Sequence, residues 1–470
     1  MKLAGTSSLR RALSVGAVAL GLSAGPAHAQ TDIAEQLRAI PGVENVTVGT
    51  VAQPYQFFRF TYRQPVDHAR PGAGTFAQRA TLLHRGLDRP TVFYTNGYDI
   101  NPNPSRSEPT RLVDGNQLAI EHRFFETSVP TPVDWSKLNV WQAASDSHRL
   151  INAVKGIYAG RWLSSGASKG GMASIYHRRY YPHDVDGTVA YVTPNDALHE
   201  EDSAYTRFFE RVGTDPACRA ALVALQKEAL GPRRAELRHR WAVTAATGGY
   251  TFERRFGNSV DRALETTVLD TPWAFWQYRT QADCGAVPAR TASTDTIYAF
   301  IDETASFAFY TDEGIEPYAP YYFQAATQLG WPEPSVKPVR GLLLHPDPFD
   351  PRALFQHDPL TRFDPLRMLE MDLWVRLLGR QLLFVYGQND PWSAERFQIT
   401  PLTRDSYAYE AAGANHGANI ARLTAEENAE ATAAVRRWAG LSIGAQARSP
   451  EPTITHVPEL DDYADRTLRP

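Results

Sequence analysis

Apolar and polar residues alternate in two neighbouring stretches, residues 55–63 and 75–84. Alternation with a period of two places one side of a strand on a core and leaves the other wet. Pro71-Gly72-Ala73-Gly74 lies between them and supplies a turn, so the two predict an antiparallel pair. Residues 89–97 and 116–122 predict a third and a fourth strand. The period then changes. From about residue 136 to 159, Leu138, Val140, Ala143, Leu150, Ala153, Val154 and Ile157 recur at helical spacing. Next come a short strand at 162–165, a helix at 172–181 halted by Pro182, and a strand at 187–192. Residues 30–50 read as a polar lead-in.

From 195 to about 367 the chain becomes aromatic, charged and helical in pattern, as at 216–229 and 272–282. The strand pattern resumes at 380–386 and 406–410. Thr424, with Glu427 three residues on, forms a capping box for a last helix that reaches Trp438 and stops at Gly440. Strands alternating with helices after an antiparallel start predict an α/β sheet. Its core spans 30–194 and 368–447, with a mostly helical cap inserted at 195–367. The proline-rich tail, 448–470, is either loose or an arm on the surface. No internal repeat is present.

The N-terminus reads as a signal peptide covering residues 1–29. Lys2, Arg10 and Arg11 are its basic region, residues 12–24 its apolar run, and Ala27-His28-Ala29 its cleavage site. Arg10-Arg11 leaves the export route open, because the residues after it fit a twin-arginine signal poorly. No later run is long and apolar enough to span a bilayer. Lys+Arg number 48 against 52 Asp+Glu, a net charge of −4. Loss of the three leader cations makes the mature chain more acidic still. No basic run marks a nucleic-acid partner, and no membrane partner is expected. Oligomeric state is left open, a monomer being compatible with the chain. In an exported chain the two cysteines, Cys218 and Cys284, are expected to form a disulfide. No H-E-x-x-H, Walker A or G-x-G-x-x-G pattern occurs, which favours chemistry by side chains alone, without cofactor or metal.

The chemistry centres on Gly166-Ala167-Ser168-Lys169-Gly170, a G-x-S-x-G match between a predicted strand and a predicted helix. That is the nucleophile-elbow arrangement: a strained serine that only tiny neighbours accommodate, above a helix N-terminus. A serine hydroxyl needs a base, and the base an orienting acid. In the elbow fold these follow in the order Ser, Asp or Glu, His, each after a strand. Asp390 follows the strand at 380–386, in Gly387-Gln-Asn-Asp390-Pro-Trp392. His416 follows the strand at 406–410, in Gly413-Ala-Asn-His416-Gly-Ala418. The oxyanion donors expected are the N–H of Lys169 and that of Gly97 or Tyr98, with the Lys169 side chain solvated or ion-paired. His177 and His183 are expected at the surface.

Trp162-Leu-Ser-Ser-Gly-Ala-Ser-Lys-Gly-Gly-Met172, Tyr176-His-Arg-Arg-Tyr-Tyr-Pro182 and Asp186-Gly-Thr-Val-Ala-Tyr-Val192 together resemble the secreted prolyl tri/tetrapeptidyl aminopeptidases of streptomycetes. The likeness extends over most of the mature chain, through Tyr94-Thr-Asn-Gly-Tyr98, Thr271-Pro-Trp-Ala-Phe-Trp-Gln277 and Phe309-Tyr-Thr-Asp-Glu-Gly314. More distantly, Asp67-His68, Glu121-His122-Arg123, Asp390-Pro-Trp392 and the Gln324 segment resemble the lysosomal Pro-Xaa carboxypeptidase and dipeptidyl peptidase II family. The resemblance implies an α/β-hydrolase core with a helical cap, Ser168, Asp390 and His416 on triad positions, and removal of tri- or tetrapeptides from free N-termini, with proline before the cut bond.

Such an exopeptidase needs a pocket for a pyrrolidine ring and an anion for the substrate ammonium. Phe208, Phe209, Trp273, Phe275, Trp276, Tyr310, Tyr321 and Tyr322, in the cap, are candidates for the first, and Trp392 is a further candidate for substrate binding. Glu121, Asp196, Glu200, Glu201 and Asp202 are candidates for the second. A secreted esterase or lipase on the same fold is the alternative; it needs an apolar cleft and no ammonium anchor. A non-catalytic hydrolase-like binding protein fits less well with three triad members in order.

Overall fold

The computed structural model describes residues 32–198, 201–345, 350–355, 362–441 and 456–461. The expected leader and Glu200 lie outside the described residues. Nine strands among them form one sheet: β1 (Val43–Gly49), β2 (Gln56–Pro65), β3 (Thr75–His84), β4 (Thr91–Thr95), β5 (Asn116–Ile120), β6 (Trp162–Ala167), β7 (Gly187–Tyr191), β8 (Leu382–Gly387) and β9 (Tyr407–Ala411). Their order is β1-β2-β3-β5-β4-β6-β7-β8-β9. β1, β2 and β3 are antiparallel, β3 meets β5 antiparallel, and every pair from β5 to β9 is parallel. This mixed sheet, with its strand–serine–helix turn after β6, is the α/β-hydrolase fold.

Parallel strands need crossover helices, which cover both faces and leave the strands buried throughout. β5, β7 and β8 are buried at every position. Successive residues serve opposite layers. Val92, Leu163, Val189, Leu383 and Val385 pack with Ala431, Ala434, Val435 and Trp438 of the last long helix, Ala425–Trp438. Phe93, Leu118 and Trp162 pack on the other face with Leu150, Ile151 and Val154 of the helix Val140–Lys155. Ala190, Leu382 and Phe384 meet Met172 and Ile175 of the helix Lys169–Tyr180 there.

The polar lead-in expected at 30–50 is in fact structured. Asp32 accepts from Ala34 N–H at 3.0 Å and caps the helix Ile33–Ala39, which is followed by β1. β1 is an edge strand with a bulge, and Val43 is its one buried residue, so it carries almost no hydrophobic alternation. In the tail, the short helix Pro458–Asp461 docks on the sheet. Leu460 is buried against Tyr55, Phe57 and Leu83, and Asp461 pairs with Arg106.

Between β7 and β8 the chain builds helices over their own core, which includes Trp241, Phe256, Phe275 and Trp276. The helix expected to begin at Pro272 actually runs Val260–Tyr278, with Pro272 inside it. Proline at that place removes an N–H and strands a carbonyl one turn earlier. Gln226 Nε2 fills the gap, donating to Val268 O at 3.2 Å and Leu269 O at 3.3 Å. Cys218, on the helix Pro216–Leu230, and Cys284 form a disulfide across a sequence separation of 66. No helix among the described residues is long and apolar enough to cross a membrane.

Closing a loop of that length removes entropy from the unfolded chain. Replacing both cysteines by serine is expected to lower unfolding free energy by about 2–4 kcal/mol. The urea midpoint measures it; an unchanged midpoint in the double variant would show that the helical core holds the insertion without the bond.

Candidate active site

β6 delivers the chain to Ser168 at φ 53° and ψ −127°. A side chain in that left-handed region costs about 1–3 kcal/mol, so the surroundings must enforce it. Ser168 N–H donates to Tyr191 O at 2.9 Å, and Ser168 O accepts from Met172 N–H at 3.0 Å. Three glycines make the geometry possible. A Cβ on Gly166 would lie 2.6 Å from Thr95 O, one on Gly170 would strike the same carbonyl, and one on Gly171 would strike the Thr193 hydroxyl. The helix therefore begins at Lys169 rather than at 172. Gly170 and Gly171 read as coil by propensity, yet Gly170 lets a helix start this close to the backbone of β4 and Gly171 lets it lie against Thr193.

Gly97, in the turn after β4, also has a left-handed backbone, φ 82°. A Cβ there would come within 2.7 Å of Gly170 N and of the Lys169 carbonyl carbon, so this turn lies directly on the elbow. The Lys169 side chain is buried, not solvated or ion-paired as expected. Its Nζ donates to Gly97 O, with the Tyr98 and Phe125 rings 5.2 and 5.1 Å away. Burial holds this amine well below the usual lysine range. The lysine thus ties the Gly97 turn to the helix start. Tyr98 is buried as well, with its carbonyl accepting from His122 N–H at 2.9 Å.

Asp390 follows β8 and is fully buried. Its Oδ1 accepts from Trp392 N–H at 3.1 Å, and its Oδ2 from Ser393 Oγ–H at 2.7 Å. His416, in the loop after β9, donates from Nδ1 to Asp390 Oδ1 at 2.9 Å. A carboxylate only accepts, so the bond fixes the imidazole tautomer and leaves Nε2 with its lone pair. His416 is also held through its backbone, whose N–H donates to Gln277 O at 3.2 Å. Ser168, Asp390 and His416 lie beyond the carboxyl ends of the parallel strands β6, β8 and β9. The imidazole is 13% exposed and Ser168 is half-buried.

The proposed ring pocket divides. Phe275 and Trp276 belong to the core of the insertion, with Phe208 and Phe209 packed against it. Tyr321 packs on Tyr98. Trp273, Tyr310, Tyr322 and Trp392 instead line one small cavity. The Trp392 ring lies 4.9 Å from Trp273, 5.7 Å from Trp331 and 6.5 Å from His416.

The expected carboxylates fare differently. Glu121 is fully buried and already paired: Arg79 Nε donates at 3.0 and 2.9 Å, Ser128 Oγ at 2.6 Å and Ile100 N at 3.2 Å. It joins β3 to β5 and offers nothing to a substrate, which corrects its assignment as an ammonium anchor. Glu201 is exposed and accepts from Ser203 N–H at 3.2 Å at the start of the helix Ser203–Arg211. Two carboxyls that sequence reasoning missed are perturbed. Burial, then Asp196, Asp202 and Glu201, push Glu395 up to about 8. Burial pushes Asp270 up to about 7. Asp270 had a signal, since it shares one helix face with Trp273, Ala274 and Gln277. His177 is another correction: it is buried, with Nε2 2.9 Å from Asp184.

Beneath the site lies a buried ion cluster that absorbs two of the motifs singled out by resemblance. Arg123 donates to Asp146 through Nε at 2.6 Å and Nη2 at 2.8 Å, and His68 Nε2 lies 2.7 Å from the same carboxylate. Burial opposes the Asp146 charge, but Arg123 outweighs it and keeps the carboxyl below its ordinary range. Among the described residues no group of His, Cys, Asp and Glu could hold a metal ion.

A model of the PS-10 peptidase S37 family matches residues 26–464. A prolyl tri/tetrapeptidyl aminopeptidase of Streptomyces mobaraensis is 50% identical over 451 residues, covering 94% of this chain and 93% of that one. Among solved structures, a proline iminopeptidase of Mycobacterium smegmatis aligns with a TM-score of 0.36 and 10% identity, over 80% of this chain and 98% of that one. Brefeldin A esterase, a bacterial homologue of human hormone sensitive lipase, aligns at 0.31 and 12% identity, over 88% and 87%.

A depressed carboxyl stabilises the fold fully above its unfolded pKa, near 4, and loses that contribution as pH falls through the folded value. The Asp146 contribution should therefore hold from neutral pH to about 5 and be lost below about 4, while Asp270 and Glu395, raised to about 7 and about 8, add stability as pH falls from 8 toward 5. Asp146→Ala leaves Arg123 buried without its partner. It is expected to cost about 3–5 kcal/mol and to flatten part of the acid limb. Denaturant titration at several pH values reads both effects; a variant with the wild-type acid limb would remove Asp146 from the account.

Proposed function

The chain belongs to the PS-10 peptidase S37 family, and from that premise we propose that it is an exported serine exopeptidase that releases tri- and tetrapeptides from free N-termini, cutting after proline. The observation that carries the chemistry is the 2.9 Å bond from His416 to the buried Asp390, alongside a strained serine at a strand–helix turn. The substrate class is supported by the 50% identical aminopeptidase. Export is supported by the Cys218–Cys284 disulfide, a bond that persists in oxidising compartments, and by the leader-like first 29 residues.

In this reading His416 Nε2 takes the Ser168 proton as Oγ attacks the carbonyl carbon of the proline. The negative charge that develops on the carbonyl oxygen is met by the Lys169 N–H, at the positive end of the helix Lys169–Tyr180, and by an N–H of the Gly97–Tyr98 turn. The tetrahedral adduct collapses, the C–N bond breaks, and His416 hands its proton to the departing amine. A prolyl ester remains on Ser168. Water, deprotonated by His416, then attacks the ester and frees the short peptide and the serine. Asp390 stays ionised throughout; it holds the tautomer and stabilises the imidazolium. The insertion closes over this end of the sheet as a cap, and Gln277 fixes the histidine loop from above.

Peptides with proline at the second, third or fourth position, free or N-acetylated, test the specificity by mass spectrometry of the products. Tri- and tetrapeptides are expected from the free forms alone, and equal cleavage of the acetylated forms would sink the exopeptidase reading. Ser168→Ala should remain folded and lose at least about 10³-fold in kcat. Faster turnover of short-chain nitrophenyl esters than of prolyl arylamides would favour an esterase instead.

A further inference from the structure

We propose that the cavity lined by Asp270, Trp273, Gln277, Tyr310, Tyr322 and Trp392 receives the free α-ammonium of the peptide, with the Asp270 carboxylate as its anchor. The proposal rests on the exopeptidase reading above and names the residue that recognises the free N-terminus.

The first argument is placement. Asp270, Trp273, Ala274 and Gln277 form one face of the helix Val260–Tyr278, and all four line the cavity. The same helix ends at the histidine loop, where Gln277 O holds His416 N–H and Arg279 O accepts from Asn415 Nδ2 at 3.2 Å. Trp392, from the turn that begins at Asp390, closes the cavity beside the His416 ring. The helix and Trp392 thus link the histidine loop to a carboxyl further along one rigid element.

The second argument is length. From residue 270 to residue 277 a helix rises about 10 Å, at roughly 1.5 Å per residue. An extended tripeptide spans about 10 Å at roughly 3.3 Å per residue. An ammonium at Asp270 would place the carbonyl of the third residue at the end of the helix that holds His416. One further residue could be taken up by a bend in the peptide.

The third is chemistry left unsatisfied. Among the described residues no Lys or Arg pairs with Asp270; the Tyr310 hydroxyl donates to it, and Tyr278 and Tyr322 are the other titratable groups facing the pair. A half-buried carboxyl whose titratable neighbours are all phenols is set to gain from a cation. The Tyr310 and Tyr322 rings add faces on which an ammonium is attracted. The cavity-lining Thr304, Trp273 and Trp392 are 2%, 7% and 4% exposed, and their Oγ1 and Nε1 atoms have no hydrogen-bond partner. Buried polar atoms of this kind are rarely left unpaired, and a peptide backbone supplies both donors and acceptors. With about 50 Å³ inside, the cavity admits a chain terminus and not a long extension.

The test compares an Ala-Ala-Pro arylamide with its N-acetyl counterpart on wild type, Asp270→Asn and Glu395→Gln. Wild type should prefer the free peptide. Asp270→Asn is expected to raise KM for it about tenfold or more with little change in kcat, and to erase most of the preference over the acetylated form. If wild type cleaves both forms equally, the exopeptidase reading itself fails. Should wild type discriminate while folded Asp270→Asn discriminates just as well, or should Glu395→Gln carry the loss instead, the anchor is misassigned. Circular dichroism and melting check folding. If Asp270→Asn does not fold, Tyr310→Phe takes its place. It should raise KM for the free peptide about threefold and leave the acetylated form unaffected; no change would overturn the proposal.

Discussion

Everything at the site depends on how closely three backbones approach one another. β4, β6 and the helix Lys169–Tyr180 meet where Gly97, Gly166 and Gly170 leave no room for a Cβ. That contact holds Ser168 in a conformation that costs about 1–3 kcal/mol in isolation. It also sets the helix N-terminus directly under the serine, with the Gly97 turn beside it. Lys169 locks the arrangement, because its buried amine donates to the Gly97 carbonyl across the same gap. A longer residue at any of these glycines would push the turn away from the helix, and the N–H groups proposed to face the oxyanion would separate.

The chain treats its shielded carboxyls in two ways. Two around the sheet are paired with arginine and hydrogen-bonded. Glu121 with Arg79 and Asp146 with Arg123 each join strands or helices that would otherwise meet through polar groups without partners. Such pairs gain little net energy over apolar packing, but losing one member is costly. Glu265, in the insertion, is paired in the same way with Arg234, but two other carboxyls differ. Asp270 and Glu395 are pushed toward neutrality, and no Lys or Arg pairs with Asp270 among the described residues. Carboxyls of the first kind are structure, and this is why Glu121, which shares a motif with Arg123, could not be the anchor its sequence context suggested.

The sheet and its order of chemistry were legible because they rest on local signals. Buried parallel strands leave unbroken apolar runs, and Asp390 and His416 each follow such a run in the order the elbow fold requires. β1 was not legible, because an edge strand with one buried residue has no alternation to read. The start of the elbow helix was hidden by glycines whose reason is a contact with a strand some seventy residues away. Pro272 misled in the opposite direction. It looks like a helix start, and only Gln226, from another helix, explains why the helix passes through it. Pairing partners for Glu121 and Lys169 are likewise tertiary facts.

The insertion and the sheet are one device through a single helix. Val260–Tyr278 carries Asp270 near its middle, turns Trp273 onto Trp392, and ends by holding the backbone of His416. A rigid rod between the proposed ammonium site and the proposed base makes the length of peptide released a property of the helix rise rather than of a flexible lid. It also explains why the proline inside that rod is tolerated. The carbonyl it frees, Val268 O, is held by Gln226, so the helix stays continuous across the positions that would measure the substrate. On this geometry, changes that bend the helix between 270 and 277 alter which peptide bond reaches Ser168 before they alter how fast it is cut.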